Sequence, residues 1–420
     1  MRISIEELLS GVDCECGMRH VCPIRHVFIG EGAAEKLFGE TEGYERVLAV
    51  ADENTYNAAR PYLSDDFLKK AVFRIFSGAK VLIPNEEAVD TVTEDAEEAD
   101  LLVAIGSGVI QDLCKYVSFQ KKIPYLVLAT APSMDGYASD GAAMILGGMK
   151  VTVKAALPLA IIGDTRILCT APMDMIRSGY GDIIGKYSAL NDWRLSALIT
   201  GEYYCDHIYE ITGQMIRKTE AAAEALLQRD RVSIGILMEA LVIVGIMMSF
   251  AGTSRPASGS EHHISHFFEI TGILEKSTYF PHGIDVGFST VVTAQVRRRL
   301  LSLDRPVIRE FDETRWAQEL ARVYGTVAPG VARLQRECGW HWNRKLKESY
   351  LRNWGPVRQI LKEMPTDEEI RQKIEKVGFR LEDFVSMYGP EKISDAVLYG
   401  MELKDRFTCL RLYNDLEMPE

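Results

Sequence analysis

Short, unbroken apolar runs punctuate the first third of the chain. "RVLAVADENT", "LLVAIGSG" and "PYLVLAT" each close on a turn signal, and each predicts a buried strand. Between them, "NEEAVDTVTEDAEEAD" and "VIQDLCKYVSFQKK" carry apolar positions at helical spacing. Such alternation predicts a parallel sheet covered by helices on both faces. An antiparallel piece is expected next, from "AAMIL" through a turn at Gly147 and Gly148 into "KVTVKAALPLAIIGD".

From about Thr165 onward the period changes. "GDIIGKYSALNDWRLSALI", "MIRKTEAAAEALLQR", "HGIDVGFSTVVTAQVRRRLLSL" and several shorter segments after Pro306 predict helices, and strand-like alternation nearly vanishes. The pattern predicts an α/β domain over residues 1–165 and an all-helical domain over residues 166–420, with the cleft between them a favoured place for a ligand. One helical segment, "SIGILMEALVIVGIMMSFAG" at 233–252, is long and apolar enough to cross a bilayer. Glu239 interrupts it, and it lacks aromatic belts and a basic flanking loop. A buried core helix is expected there, without stable membrane insertion.

Composition narrows the class. With 47% hydrophobic and 26% charged residues in 420, the chain reads as globular, and its formal charge of -12 argues against nucleic acid or anionic membrane as a partner. "MRISIEELLS" lacks the apolar run of a secretory signal, so a cytoplasmic location and free thiols are expected. "CECGMRHVC" gathers Cys14, Cys16, His20 and Cys22, residue types that suit zinc. The single-residue gap of CxC falls short of the usual knuckle spacing, and an ordinary surface segment is expected.

Candidate chemistry sits at strand ends and in one helix. Gly106, Ser107 and Gly108 lead from a strand into a helix through Val109 and Ile110, an arrangement that lets amides approach a phosphate, although Gln111 breaks the GxGxxG fingerprint. Thr130, Ser133, Asp135 and Ser139 cluster after the next strand in "ATAPSMDGYASDG", and Asp52 ends "VLAVAD"; the carboxyl edge of an open sheet is where ligands bind, while caps and turns use the same residues. "SGSEHHISHFFE" packs His262, His263 and His266 into five positions, and His282 follows in "PHGIDVG". Spacing leaves open which of them would hold a metal, since His262 and His266 share a helix face and His263 and His266 nearly do. Asp182, in "GYGDIIGKY", offers an oxygen ligand to complete a set.

"GSGVIQD", "TAPSMDGYAS", "GYGDIIGKYSALNDW", "SGSEHHISHFFE" and "PHGIDVG" together resemble, in order and spacing, the sn-glycerol-1-phosphate dehydrogenases, including their bacterial branch. That family lies within the group of glycerol dehydrogenases, iron-containing alcohol dehydrogenases and dehydroquinate synthases. The resemblance implies the dehydroquinate synthase-like fold, with an α/β nucleotide-binding N-terminal domain, an all-α metal-binding C-terminal domain, and the active site between them. It implies Asp182, His262 and His282 as ligands of one divalent ion (zinc, nickel or iron), with His263 at a variable position. His266 and Asp135 match substrate contacts. Asp52, Gly106, Ser107, Gly108, Val109, Ile110, Thr130, Ala131, Pro132, Ser133 and Ser139 match contacts of NAD(H) or NADP(H). One departure is that the family's triple glycine is "GSG" here.

The implied reaction is reduction of dihydroxyacetone phosphate to glycerol 1-phosphate by a homo-oligomeric enzyme, with Asp135, Asp182 and His266 as its catalytic residues. Arg255, near the histidine helix, is the candidate for the substrate phosphate. Reductases of unphosphorylated ketones, dehydroquinate synthase-like cyclases and a silent binding module share the scaffold; a glutamate replaces Asp182 in the cyclases, and the full ligand set argues against the silent module.

Overall fold

A computed structural model describes residues 4–147 and 149–419, so that Gly148, half of the expected turn, lies outside the described residues. It divides into two compact units: Met1–Ile183 with Glu210–Ser254, and Ile184–Tyr209 with Arg255–Glu420.

The first unit contains all ten strands of the described residues: β1 (Val12–Asp13), β2 (Arg19–His20), β3 (His26–Gly30), β4 (Val47–Asp52), β5 (Val72–Phe76), β6 (Leu101–Gly106), β7 (Tyr125–Ala129), β8 (Gly141–Leu146), β9 (Met149–Lys154) and β10 (Ala160–Asp164). Six of them form a sheet in the order β3-β10-β7-β6-β4-β5, parallel throughout. The four inner strands are buried almost end to end, which is why they read as continuous apolar runs; the edges β3 and β5 are only partly covered. From β4 the chain passes to β5 on one side, then returns to β6 on the other. The ends of β4 and β6 therefore flank a topological switch point, where such sheets bind ligands.

β8 and β9 form the expected antiparallel hairpin, pairing Gly141 with Lys154 at its open end. The expected continuation through "KVTVKAALPLAIIGD" is corrected: Pro158, with no amide to donate, separates β9 from β10, and β10 joins the parallel sheet between β3 and β7.

The helices that matter for the site are α1 (Glu53–Ala59), α2 (Gly108–Lys121), α3 (Met173–Thr200), α4 (Asp206–Ala221), α5 (Arg231–Ala251), α6 (Ser260–Glu275) and α7 (His282–Leu301). The bilayer-length segment is α5, which packs against β3 and the turn at 136–138 in the first unit. Gly245 makes that approach possible, because a Cβ there would stand 2.8 Å from Ala138 Cβ and 2.9 Å from the Asp135 carbonyl oxygen. Glu239, the charge that interrupts the apolar run, pairs with Lys218 of α4. Strand gives way to helix at Asp164, whereas the compact units divide the chain elsewhere because α5 stays with the sheet.

The second unit is helical. α6 packs along α7, and an aromatic cluster ties both to the helix Leu381–Tyr399: Phe268 stacks on Tyr388 at 3.8 Å, and Phe288 meets Phe384 at 5.1 Å. The Tyr388 hydroxyl reaches both oxygens of Asp285 on α7, at 2.8 and 2.9 Å.

Asp164, at the end of β10, accepts the Ala34 amide at 3.0 Å and the Arg166 guanidinium at 2.8 Å. Burial pushes its carboxyl up, but the Arg166 side chain and the amides of Ala34 and Arg166 outweigh this and hold it below the usual range. A depressed folded pKa contributes stability above the unfolded value of about 4, lost as pH falls through the folded value. Asp164→Asn should cost about 1–3 kcal/mol at pH 7, and its gap from the parent should narrow in acid. Denaturant midpoints across pH check this, and a gap independent of pH would exclude an ionic contribution.

Candidate active site

At the carboxyl end of β6, Gly106 closes the strand and Gly108 opens α2. A Cβ on Gly106 would stand 2.6 Å from Ile110 Cβ, so the turn needs glycine. Ser107, the N-cap, makes no capping bond; its hydroxyl lies 2.6 Å from that of Ser133. The first turn, with Val109 and Ile110, contains no acid. A helix start without its own cap carries partial positive charge and suits an anion such as a pyrophosphate.

The neighbouring loop is held in shape by its own backbone. Thr130 donates its amide to the Gly106 carbonyl at 3.1 Å, Ala131 accepts the Tyr137 hydroxyl at 2.6 Å, and the Ser133 carbonyl accepts the Ser178 hydroxyl at 3.0 Å. The Pro132 carbonyl lies so close to Gly179 of α3 that no side chain fits there. Ser139 donates to the Gly136 carbonyl at 3.1 Å. Lys115 of α2, which the sequence reading passed over, is buried and donates to the carbonyls of Gly136 and Gly141 at 2.8 and 2.9 Å, fastening the loop that carries Asp135. Burial pushes its ammonium pKa down against the opposing charges of Asp112, Asp140 and Asp135. Asp52 lies across the switch point and caps α1, accepting the Thr55 amide at 2.9 Å.

Asp182 is on α3, which runs on from Ile184 within the second unit. Gly185 lies three residues further, on the same helix face. A Cβ there would stand 2.5 Å from Val286 Cγ1 of α7 and 3.4 Å from Glu261 Cγ of α6, so this glycine lets the three helices close on one another. Asp182, His262 and His282 each offer a donor atom within 4.8 Å of the other two. The rings of His262 and His282 have centroids 5.1 Å apart.

The donor set fits a divalent cation. His262 Nδ1 is 2.7 Å from Glu261 Oε1, which also accepts the Gly259 amide at 2.8 Å. A carboxylate on Nδ1 fixes the ring and leaves Nε2 as the nitrogen offered to a metal. Asp182 Oδ2 accepts the Asp135 amide at 2.9 Å. One carboxylate and two imidazoles suit zinc, nickel or iron, and three protein donors leave a position open for substrate.

His266, one turn beyond His262, has its ring centroid 5.9 Å from that of His262 and 5.6 Å from that of His282. It forms a second, overlapping group of three donors with Glu269 and His282. Glu269 is a donor that the sequence reading missed; its signal was the three-residue spacing from His266. His263 belongs to neither group. It is fully buried with no hydrogen-bond partner for either ring nitrogen, and burial holds its pKa well below the usual value, with the charges of Arg406, Lys404 and Arg255 adding to the effect.

The reading of Arg255 as a phosphate ligand is corrected. Its guanidinium is buried and engaged by Glu202 at 2.9 Å, the Phe407 carbonyl at 2.8 Å and the Ser196 hydroxyl at 2.9 Å.

A parallel sheet with a glycine turn at its switch point, joined to a helical unit bearing clustered histidines, defines the fold of the iron-containing alcohol dehydrogenases and glycerol dehydrogenases. The family model for iron-containing alcohol dehydrogenase matches residues 29–172. A sulfoacetaldehyde reductase from Bifidobacterium kashiwanohense, solved in complex with NAD+, shares the fold at a TM-score of 0.59 and 14% identity, over 94% of this chain and 97% of that one. Within this class the sequence is more specific. A glycerol-1-phosphate dehydrogenase [NAD(P)+] from Geobacillus stearothermophilus is 29% identical over 99% of both chains. Another, from Bacillus velezensis, is 34% identical over 71% of this chain and 78% of the relative. The chain belongs to the glycerol-1-phosphate dehydrogenase family.

Gly185→Ala should lower stability by about 1–3 kcal/mol, because the helices it separates have no slack to absorb a methyl group. Gly330→Ala, at an exposed helical position with nothing within 4 Å, should be neutral or stabilising by up to about 1 kcal/mol. Denaturant midpoints of the two variants check the contrast, and equal midpoints would mean that the three helices do not meet at Gly185.

Proposed function

We propose that the chain is a metal-dependent, NAD(P)-linked glycerol-1-phosphate dehydrogenase, interconverting dihydroxyacetone phosphate and sn-glycerol 1-phosphate. The observation that carries this reading is the grouping of Asp182, His262 and His282 within 4.8 Å, in a chain similar from end to end to relatives named for that activity. The reading includes a small phosphorylated substrate, a homo-oligomeric state and a cytoplasmic setting.

The nicotinamide supplies or takes the hydride, and a divalent cation, when bound, supplies Lewis acidity at the substrate's carbonyl or hydroxyl oxygen. The rest falls to the chain's own residues. Gly106, Ser107, Gly108, Val109 and Ile110 present the start of α2 to the cofactor's pyrophosphate, with Thr130, Ala131, Pro132, Ser133 and Ser139 lining the adjoining loop. Asp52 takes the adenosine ribose hydroxyls, a contact that disfavours a 2′-phosphate. Asp182, His262 and His282 hold the cation, and Glu261 orients His262. Asp135 contacts substrate. His266 hydrogen-bonds a substrate oxygen and hands on the proton that accompanies hydride transfer.

The overlapping group of His266, Glu269 and His282 makes this assignment testable. His266→Ala should lower kcat by a factor on the order of 10²–10⁴ while metal content, read by elemental analysis, stays at the parent level. Asp182→Ala should lose about one metal ion per chain together with activity, and Glu269→Gln should keep the parent metal content. Loss of metal in His266→Ala or Glu269→Gln would move the ion to the other group. NADH and NADPH oxidation assays with dihydroxyacetone phosphate and with plain dihydroxyacetone test the substrate: equal efficiency on both would replace this reading with a glycerol dehydrogenase-like reductase.

A further inference from the structure

We propose that Cys14, Cys16, His20 and Cys205 form a second metal site, a structural zinc centre that clamps the N-terminal hairpin in place. Each residue offers one donor atom, and all four atoms lie within 4.8 Å of one another. Four ligands about 2.3 Å from a zinc ion at the centre of a tetrahedron stand about 3.8 Å apart, so the group is already near coordination size. Cys205 immediately precedes α4.

The hairpin is shaped to present these donors. Cys14 donates its amide to the Met18 carbonyl at 3.1 Å, and Gly17 donates to the Cys14 carbonyl at 3.0 Å. Gly17 takes a φ of +84°, which a side chain would resist, and this turns the chain directly after Cys16. Cys16 Sγ comes to 3.4 Å from His20 Nε2.

His20 supplies an independent observation. Its Nδ1 lies 3.2 Å from the Phe250 carbonyl oxygen near the end of α5, and its ring stacks on Phe250 at 5.2 Å and 13°. A carbonyl only accepts, so Nδ1 carries the proton, and in the neutral ring the lone pair is on Nε2, the nitrogen facing the Cys16 sulfur. This is the arrangement that fixes metal-binding histidines, with the distal nitrogen donating to a backbone carbonyl. Cys22, which the sequence pattern grouped with these residues, stands apart: it is buried, and burial raises its thiol pKa against bonds from Ile24 and Ser249.

Three sulfurs and one imidazole form a closed donor set that leaves no position for substrate, as structural zinc sites do. Strands β1 and β2 are two residues each. A hairpin so short has little stability in isolation, and a shared ion would fasten it to the start of α4 and, through His20, to the end of α5.

The test uses the full-length chain, purified under reducing conditions and loaded with zinc or cobalt(II). Elemental analysis should give about one zinc fewer per chain in Cys14→Ser/Cys16→Ser and in Cys205→Ser, with Cys22→Ser at the parent value. His262→Ala, which lacks a donor of the other group, should keep the thiolate-bound ion. Cobalt-loaded parent and His262→Ala should both show sulfur-to-metal charge-transfer absorption, weakened in Cys205→Ser. Should the serine variants fail to fold, organomercurial titration of the intact parent should release zinc in step with three thiols. Parent-level zinc in a folded Cys205→Ser, absence of the charge-transfer band from the parent, or recovery of Cys14 and Cys16 as a disulfide would each overturn the proposal.

Discussion

One buried carboxylate organises the helices that bear the histidines. Asp192 of α3 accepts the Arg297 guanidinium of α7 at 2.7 Å, the Ser260 amide that opens α6 at 2.7 Å, and the Cys409 amide at 2.9 Å. These are the helices that carry Asp182, His282 and His262. The charge is fully buried, and removing one partner of such a pair typically costs about 3–5 kcal/mol. A negative group at the start of α6 also opposes that helix's partial positive charge. Gly259 belongs to the same constraint, since a Cβ there would stand 2.7 Å from Asp192 Oδ2 and displace the carboxylate from the helix end. Within the second unit, the helices that carry His262 and His282 are thus fixed on α3 by groups that need never touch substrate.

Fixing donors on helices rather than loops serves a metal site, because coordination tolerates little displacement. The first unit applies the same device to its loops. Lys115 sits under the Gly136–Gly141 segment and donates to both carbonyls, and the Asp135 amide is bonded to Asp182. A buried ammonium held by carbonyls fixes a loop in one shape while adding no side chain to the surface a ligand would use. Gly179 and Gly245 bring the backbones of α3 and α5 against the neighbouring Pro132 and Asp135–Ala138 segments.

How much of this could be read from the sequence depends on burial and sequence distance. The inner strands were legible because both of their faces are covered, so no polar residue interrupts the run. The edges β3 and β5 are mixed in burial and gave no comparable signal, and Pro158 hid the boundary at which β10 rejoins the parallel sheet. Among the histidines, helical spacing left His262, His263 and His266 all open; the family pattern singled out His262, and burial of His263 without partners is consistent with that choice. Arg255 misled because proximity in sequence to the histidine helix says nothing about where a guanidinium turns, and Glu202 captures it. Lys115 was hidden because a lysine in an amphipathic helix reads as a solvated charge. Cys205 lies far from "CECG" in sequence, so no local pattern could have joined them.

The two donor groups differ in softness, and that difference sorts their metals. Three thiolates with one imidazole favour zinc, whereas a carboxylate with two imidazoles accepts zinc, nickel or iron with less discrimination. A closed four-ligand centre exchanges its ion only by opening a protein ligand, whereas the three-ligand set proposed at Asp182, His262 and His282 would leave a position through which both substrate and competing ions could arrive. The metal found at the histidine site should therefore follow supply, and the ion at the hairpin should not. This separation has a physical use: a fold that relies on one ion for its N-terminal clamp keeps that clamp when the histidine site is stripped or reloaded, because the two ligand sets share no residue and Phe250 anchors His20 from α5.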